Sequence, residues 1–289
     1  MPQHGPAEGF FLPTGVGQRY CLFHPVADGV PARGAFLHVH AFAEEQNKSR
    51  RMTALQARAF ARAGYAVLQM DLYGCGDSSG DFGDARWEIW LDDLRAAHAW
   101  LAQRQAAPVD LWGTRLGALL ALDYATNWSA DTPVREVLLW QPVTSGEQYL
   151  TQFLRIRMAT DMLVAEPDAG SPAPARTSTT QAMRASLAAG DSLEVAGYML
   201  TPALATSIGA MKLGALGTPG MRVHWFEVVA DAARPLPPAA ATVAAALRTR
   251  GVDLQLHLTP GPQFWAAQEI VEAPALLAAT MAFADGVPA

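Results

Sequence analysis

Lysine is nearly absent from this chain: Lys48 and Lys212 are the only two in 289 residues, and the formal charge is −6. There is no basic stripe to follow phosphates, which argues against nucleic-acid binding. Two cysteines, Cys21 and Cys75, supply neither a disulfide framework nor a four-cysteine zinc site. The seven histidines show no HExxH spacing, so no metal is expected. The longest uncharged run, Val195 to Met211, is interrupted by Gly197, Pro202 and Gly209 and falls short of the roughly 20 apolar residues that span a bilayer. The polar start MPQHGPAEG has no basic-then-apolar signal region. Together these features predict a reduced, cytoplasmic protein with no membrane span and no cofactor.

What is present is a composition that folds, with 51% hydrophobic and 17% charged residues. Nearly continuous apolar runs predict strands at 34–40, 65–71, 108–112, 135–141, 221–229 and 252–258, as expected of parallel strands covered on both faces. Between them, Met52, Leu55, Ala59 and Phe60 recur at helical spacing, as do Trp87, Trp90, Leu91, Leu94 and Leu101. The tryptophans read as residues packing on the sheet. Strand, helix, strand in this rhythm predicts an α/β fold with a mostly parallel, doubly wound sheet, and residues 9–24 read as an antiparallel hairpin added at one edge. The rhythm breaks after Pro142. The expected organisation is a core of 1–142 and 221–289 carrying a helical cap insertion, 143–220, with a mobile loop near 167–180 (PDAGSPAPARTSTT).

In such a sheet, functional groups gather where strands end at their carboxyl side. The exit of the strand PVDLW reads LWGTRLG, residues 111–117. Gly113 and Gly117 provide the small flanks of a nucleophile elbow, G-x-S-x-G, between a strand and a helix rich in small residues (GALLALDYA). The apex is Arg115, which stays protonated and does not attack a carbonyl.

The stretches HAFAEEQNKSRRM, DLYGCGDSSGDF, LWGTRLGALLA, LWQPVTSGEQYLTQFLRIRMA, VAGYMLTPALA and GPQFWAAQEI cover nearly the whole chain, and with them the sequence resembles the α/β-hydrolases. More narrowly, through EEQNKSRRM and GPQFW, it resembles the second hydrolase associated with the exosortase A system. That resemblance implies a bacterial protein encoded alongside exopolysaccharide synthesis and PEP-CTERM protein sorting, with a catalytic activity inferred from its fold; a protein partner in that system is a further expectation. The superfamily roles it implies place the oxyanion donors at the backbone N–H of Leu116 and in the loop beginning His40-Ala41-Phe42. The acid falls at Asp231, with Glu227 second. The base belongs in the loop after VDLQLHL, which reads TPGPQFWAAQEI and contains Gln263 but no histidine. His257 lies within the preceding strand and reads either as a displaced base or as a packed strand histidine. Two of three triad positions are therefore lost, which argues against Ser-His-Asp catalysis.

Thr114 carries a hydroxyl one residue off the apex, pointing elsewhere. Cys75, in the glycine-bounded loop DLYGCGDSSG, offers a substitute nucleophile with His40 as its base, against the ordinary reading of an inert cysteine. Arg115 at a helix N-terminus suits an anion. That anion is either a ligand or an internal carboxylate from Glu44, Glu45 or Glu227. The charged run EEQNKSRR reads as a helix start capped by Asn47 or Ser49, or as a polar wall of the pocket. The sequence thus predicts a hydrolase scaffold holding a small anionic or acyl-type ligand, or a partner, beneath the cap, with contacts from Arg115, Leu116, Ala41, Phe42, Glu44, Glu227 and Gln263. The competing expectation is an atypical esterase, thioesterase or acyl transferase. Val195–Met211 reads as cap packing in preference to a membrane-resting surface.

Overall fold

The computed structural model describes residues 6–105, 108–130, 133–164 and 179–284, the side chains of 161–164 aside. Strands β1 (Glu8–Pro13) and β2 (Gln18–His24) form the expected hairpin. Alternating strands and helices follow: β3 (Gly34–Val39), α1 (Glu44–Arg62), β4 (Tyr65–Met70), α2 (Trp87–Arg104), β5 (Val109–Thr114), α3 (Leu116–Asn127) and β6 (Glu136–Trp140). After α4 (Gly146–Val164), α5 (Thr180–Ala189), β7 (Leu193–Val195), β8 (Tyr198–Leu200) and α6 (Pro202–Ala210), the chain returns through β9 (Arg222–Val229), α7 (Pro238–Thr249), β10 (Asp253–Pro260) and α8 (Pro274–Ala284). The sheet has the order β1-β2-β4-β3-β5-β6-β9-β10. It is parallel from β4 to β10, and β2 meets β4 antiparallel.

Alternation along each strand divides the core between two faces. Phe36, Val67, Trp112, Trp140 and Phe226 lie on the face covered by α1 and α8, with Met52, Phe60 and Leu276 above them. Leu37, Leu68, Leu111, Leu139 and Trp225 lie on the other, beneath α2 and α3. Trp87, Trp90, Trp112, Trp140 and Trp225 pack in this core; Trp140 donates to Thr280 Oγ1 at 3.0 Å and Trp87 to Asp123 at 2.8 Å, whereas the buried Trp112 indole N–H has no partner among the described residues.

Three expectations need correction. Helix α1 starts at Glu44 after Ala43, which has φ 50°, so Asn47 and Ser49 lie inside the helix and cap nothing. Strand β10 runs to Pro260, which leaves Gly261 to begin the loop where a base was sought. Between α5 and α6 the chain makes an antiparallel hairpin, β7–β8, around Ala196 (φ 51°) and Gly197 (φ 84°), a two-residue turn with both central residues left-handed. Of the loop expected over 167–180, residues up to 178 lie outside the described residues; Thr179 caps α5 by accepting the Ala182 N–H at 3.1 Å. No helix among the described residues is long and apolar enough to cross a membrane.

Candidate functional site

Strand β5 ends at Thr114 and α3 starts at Leu116, so a single residue turns the chain. Arg115 does so with φ 57° and ψ −119°, a conformation costly for a side-chain-bearing residue. The turn closes because its flanks are glycine. A Cβ on Gly113 would stand 2.4 Å from Ala118 Cα, and one on Gly117 would stand 2.2 Å from the His40 carbonyl oxygen. The elbow architecture is therefore intact around a changed apex.

Two other left-handed non-glycine residues sit at neighbouring strand exits, Ala43 after β3 and Gln141 (φ 44°) after β6. Both serve the same guanidinium. The Ala43 turn launches α1 so that Glu45 faces Arg115, with Nε 3.3 Å from both carboxylate oxygens and Nη2 3.2 Å from Oε1. The Gln141 turn aims its carbonyl, which accepts from Nη1 at 3.2 Å. Tyr149 of α4 donates its hydroxyl to Glu45 Oε2 at 3.0 Å, and burial, then the Glu45 charge, raises its pKa well above the ordinary phenol value. The Trp265 ring, from the loop after β10, lies 5.0 Å from the guanidinium carbon. Both charged side chains are mostly buried, 12% exposed for Arg115 and 21% for Glu45. Among the alternatives that the sequence left open, Glu45 is the internal carboxylate. Glu44 instead accepts from Asn47 at 3.3 Å.

Glu227 stands nearby on β9, receiving the Trp225 indole at 2.8 Å and the Gln141 amide at 3.1 Å. Burial raises its pKa more than these donors and Arg115 lower it. Arg115, Gln141, Tyr149 and Glu227 border a cavity of about 180 Å³, which Gln148, Gln152 and the start of α7 complete. On the other side of the elbow, Leu116, Ala41, Phe42 and Cys75 border a second, apolar cavity of about 10 Å³. That is room for about one water molecule. The two cavities share no lining residue.

The remaining candidates are scattered. Asp231 sits on an exposed turn, its carboxylate accepting from Ala233 N at 2.9 Å and lying 3.9 Å from Arg234, and it does not border the Arg115 cavity. Gln263 is exposed. His257 packs flat on Phe226, ring centroids 4.4 Å apart, as a strand histidine does. Thr114 is buried with its hydroxyl 3.3 Å from His38, on the α1 face. The Cys75 thiol is buried, and desolvation pushes its pKa well up, with Asp71 and Asp93 adding to the effect. His40 Nδ1 lies 2.7 Å from its acceptor, the Ala41 carbonyl, and Nε2 accepts the Leu72 N–H at 3.1 Å. Both ring nitrogens are thus engaged, and no lone pair is left to draw a proton from Cys75. Glu45, Tyr149, Trp265 and the Gln141 carbonyl complete the Arg115 site; of these the sequence reading offered only Glu45, as one of three alternatives.

Sequence comparison with curated proteins finds no match. Solved structures match over almost the full length. The monoglyceride lipase of Saccharomyces cerevisiae, a soluble variant in complex with a substrate analogue, superposes with a TM-score of 0.66 at 18% identity, covering 99% of this chain and 96% of that one. Est1E of Butyrivibrio proteoclasticus, with ferulic acid bound, gives 0.65 at 14%, covering 95% and 97%. A putative hydrolase of Agrobacterium vitis gives 0.57 at 20%, covering 96% and 99%. At these identities the likeness is one of fold, the α/β-hydrolase fold. A family model matches residues 30–199, which include β3, the elbow and β6. By that match the chain belongs to the Hydrolase_4 family, serine aminopeptidase S33, of the α/β-hydrolases.

Proposed function

We propose that this chain is a non-hydrolytic binding protein on the hydrolase scaffold, the second hydrolase-type protein of an exosortase A system, acting beside exopolysaccharide synthesis and PEP-CTERM sorting in the cytoplasm. One observation carries the non-hydrolytic reading. The position from which a serine would attack is occupied by a guanidinium bound to Glu45 and covered by Trp265. The system assignment is supported by the EEQNKSRRM and GPQFW stretches. These two stretches supply Glu45 and Trp265, the partners of Arg115. In this reading the segment 143–220 is a cap whose Tyr149, Gln148 and Gln152 wall the cavity.

The ligand follows from charge. Glu45 already matches Arg115, and Glu227 brings a second carboxylate to the same cavity. A strongly anionic ligand meets no unmatched cation there, so an acyl-type ligand with a carbonyl or amide is preferred over an anion. The guanidinium N–H groups not spent on Glu45 and Gln141 donate to it. A protein partner of the sorting system remains compatible with the same surface.

A second reading, an atypical esterase, thioesterase or acyl transferase, is favoured by the retained elbow turn and the Leu116 N–H at the start of α3. Short acyl esters and thioesters separate the two. We expect no turnover, and thermal stabilisation by short acyl amides that Arg115→Ala removes. Turnover that disappears in Arg115→Ala or Cys75→Ala overturns the non-hydrolytic reading.

A further inference from the structure

A crossover helix normally turns apolar residues to its sheet. Helix α1 does so only in its second half. Its first turns present Gln46, Ser49, Arg50 and Thr53, a polar stripe at i, i+3, i+4 and i+7. Three of these are buried, Gln46 at 7%, Ser49 at 2% and Thr53 at 4% exposure. The strands answer with polar groups, His38 from β3, Gln69 from β4 and Asp71 just beyond it. Between helix and sheet is a cavity of about 200 Å³ that shares no lining residue with the Arg115 cavity. Ser49 is one of the residues bordering it, and its buried Oγ has no hydrogen-bond partner among the described residues. Packing alone does not select a buried polar stripe with a hydroxyl left over.

The chamber's charges are one of each sign, side by side. Arg50 Nη2 lies 3.8 Å from Asp71 Oδ1, and the arginine is 54% exposed at the chamber's edge. The Asp71 carboxylate is held in place by the Gln46 amide at 2.8 Å and the Asp77 N–H at 3.2 Å. The histidines stay neutral: burial pulls His38 down to about 3 and lowers His40 as well. A simple anion here meets Asp71, and a simple cation meets Arg50. A molecule that carries both charges on groups joined through one carbon satisfies the pair.

We propose that this chamber binds a small zwitterion of the α-amino-acid class, its carboxylate on Arg50 and the Ser49 hydroxyl and its ammonium on Asp71. The site is independent of any ligand at Arg115. The test uses the full chain, with free glycine, alanine, serine and glutamine at millimolar concentration as probes, in thermal melts and titration calorimetry. Acetate, methylammonium and N-acetylalanine serve as controls. At least one free amino acid raises the melting temperature saturably, and the controls do not. Arg50→Gln leaves the ligand-free melting temperature unchanged and weakens binding by about tenfold, the loss of one charge-assisted contact. Ser49→Ala weakens binding less, and its ligand-free form melts no lower than the parent because it removes an unpaired buried hydroxyl. No response to any of the four amino acids overturns the proposal. So does an equal response to acetate or methylammonium, or undiminished binding in Arg50→Gln.

Discussion

Removing Glu45 leaves a mostly buried guanidinium without its counterion. Glu45→Ala deletes an oxygen pair that takes three guanidinium contacts at 3.2–3.3 Å and the Tyr149 hydroxyl at 3.0 Å. Breaking a fully buried pair costs about 3–5 kcal/mol. Glu45 is 21% exposed, so water replaces part of the loss and the expected cost is about 2–3 kcal/mol. With about 2.1 cal/mol/K of unfolding entropy per residue, 1 kcal/mol moves the melting temperature of a 289-residue chain by about 1.6 °C, so it falls by about 3–5 °C. Arg115→Ala removes the charge that Glu45 balances, so the two changes are not additive. Made together they cost less than the sum by at least about 1 kcal/mol, read from urea or thermal unfolding of the four proteins in a double-mutant cycle. Additivity within about 0.3 kcal/mol would refute the pairing as the stabiliser of the elbow.

Further outcomes concern the turn, the thiol and acid. Gly117→Ala sets a Cβ 2.2 and 2.4 Å from the backbone oxygens of His40 and Val39 and costs about 3 kcal/mol, whereas Gly15→Ala, with nothing within 4 Å, leaves the melting temperature unchanged. Cys75, 6% exposed, with its pKa raised by burial, resists iodoacetamide at pH 8 in the native protein and reacts once the chain is denatured, as intact-mass spectrometry will show; so does Cys21, pushed up to about 12. Burial depresses His38 to about 3 and His98 and His224 to about 4, so the stability they contribute is present above their unfolded value of 6.5 and is lost as pH falls through the window below it. Asp110, raised by burial from 3.8 to about 6, works the other way and stabilises as pH falls through that range. Melting temperature therefore declines from pH 6.5 to 4.5, and Asp110→Asn makes the decline steeper.

The sheet was legible because buried parallel strands are written as apolar runs, and all six predicted strands lie within two residues of their observed ends. The elbow was legible because close backbone approach at Gly113 and Gly117 requires glycine. The counterion of Arg115 was not. Which of Glu44 and Glu45 faces the apex depends on the phase of α1, set by the left-handed turn at Ala43, a residue type that carries no turn signal, while Glu227 sits on β9 and turns to Trp225 and Gln141. Asn47 and Ser49 looked like caps because their side chains favour that role, but α1 had already begun. The β7–β8 hairpin has three-residue strands, too short for alternation to register, and its only mark is the dipeptide Ala196-Gly197. Trp265 joins the site through the loop after β10, a contact between residues 150 apart in the chain that no local pattern encodes.

The non-hydrolytic proposal requires that no group at the elbow form a covalent acyl intermediate. Its most direct test is intact-mass spectrometry of the protein after incubation with p-nitrophenyl butyrate and with an alkyl fluorophosphonate. The expected result is an unmodified mass with both reagents. A stoichiometric adduct that maps to Thr114, Cys75 or another residue bordering the elbow would contradict it.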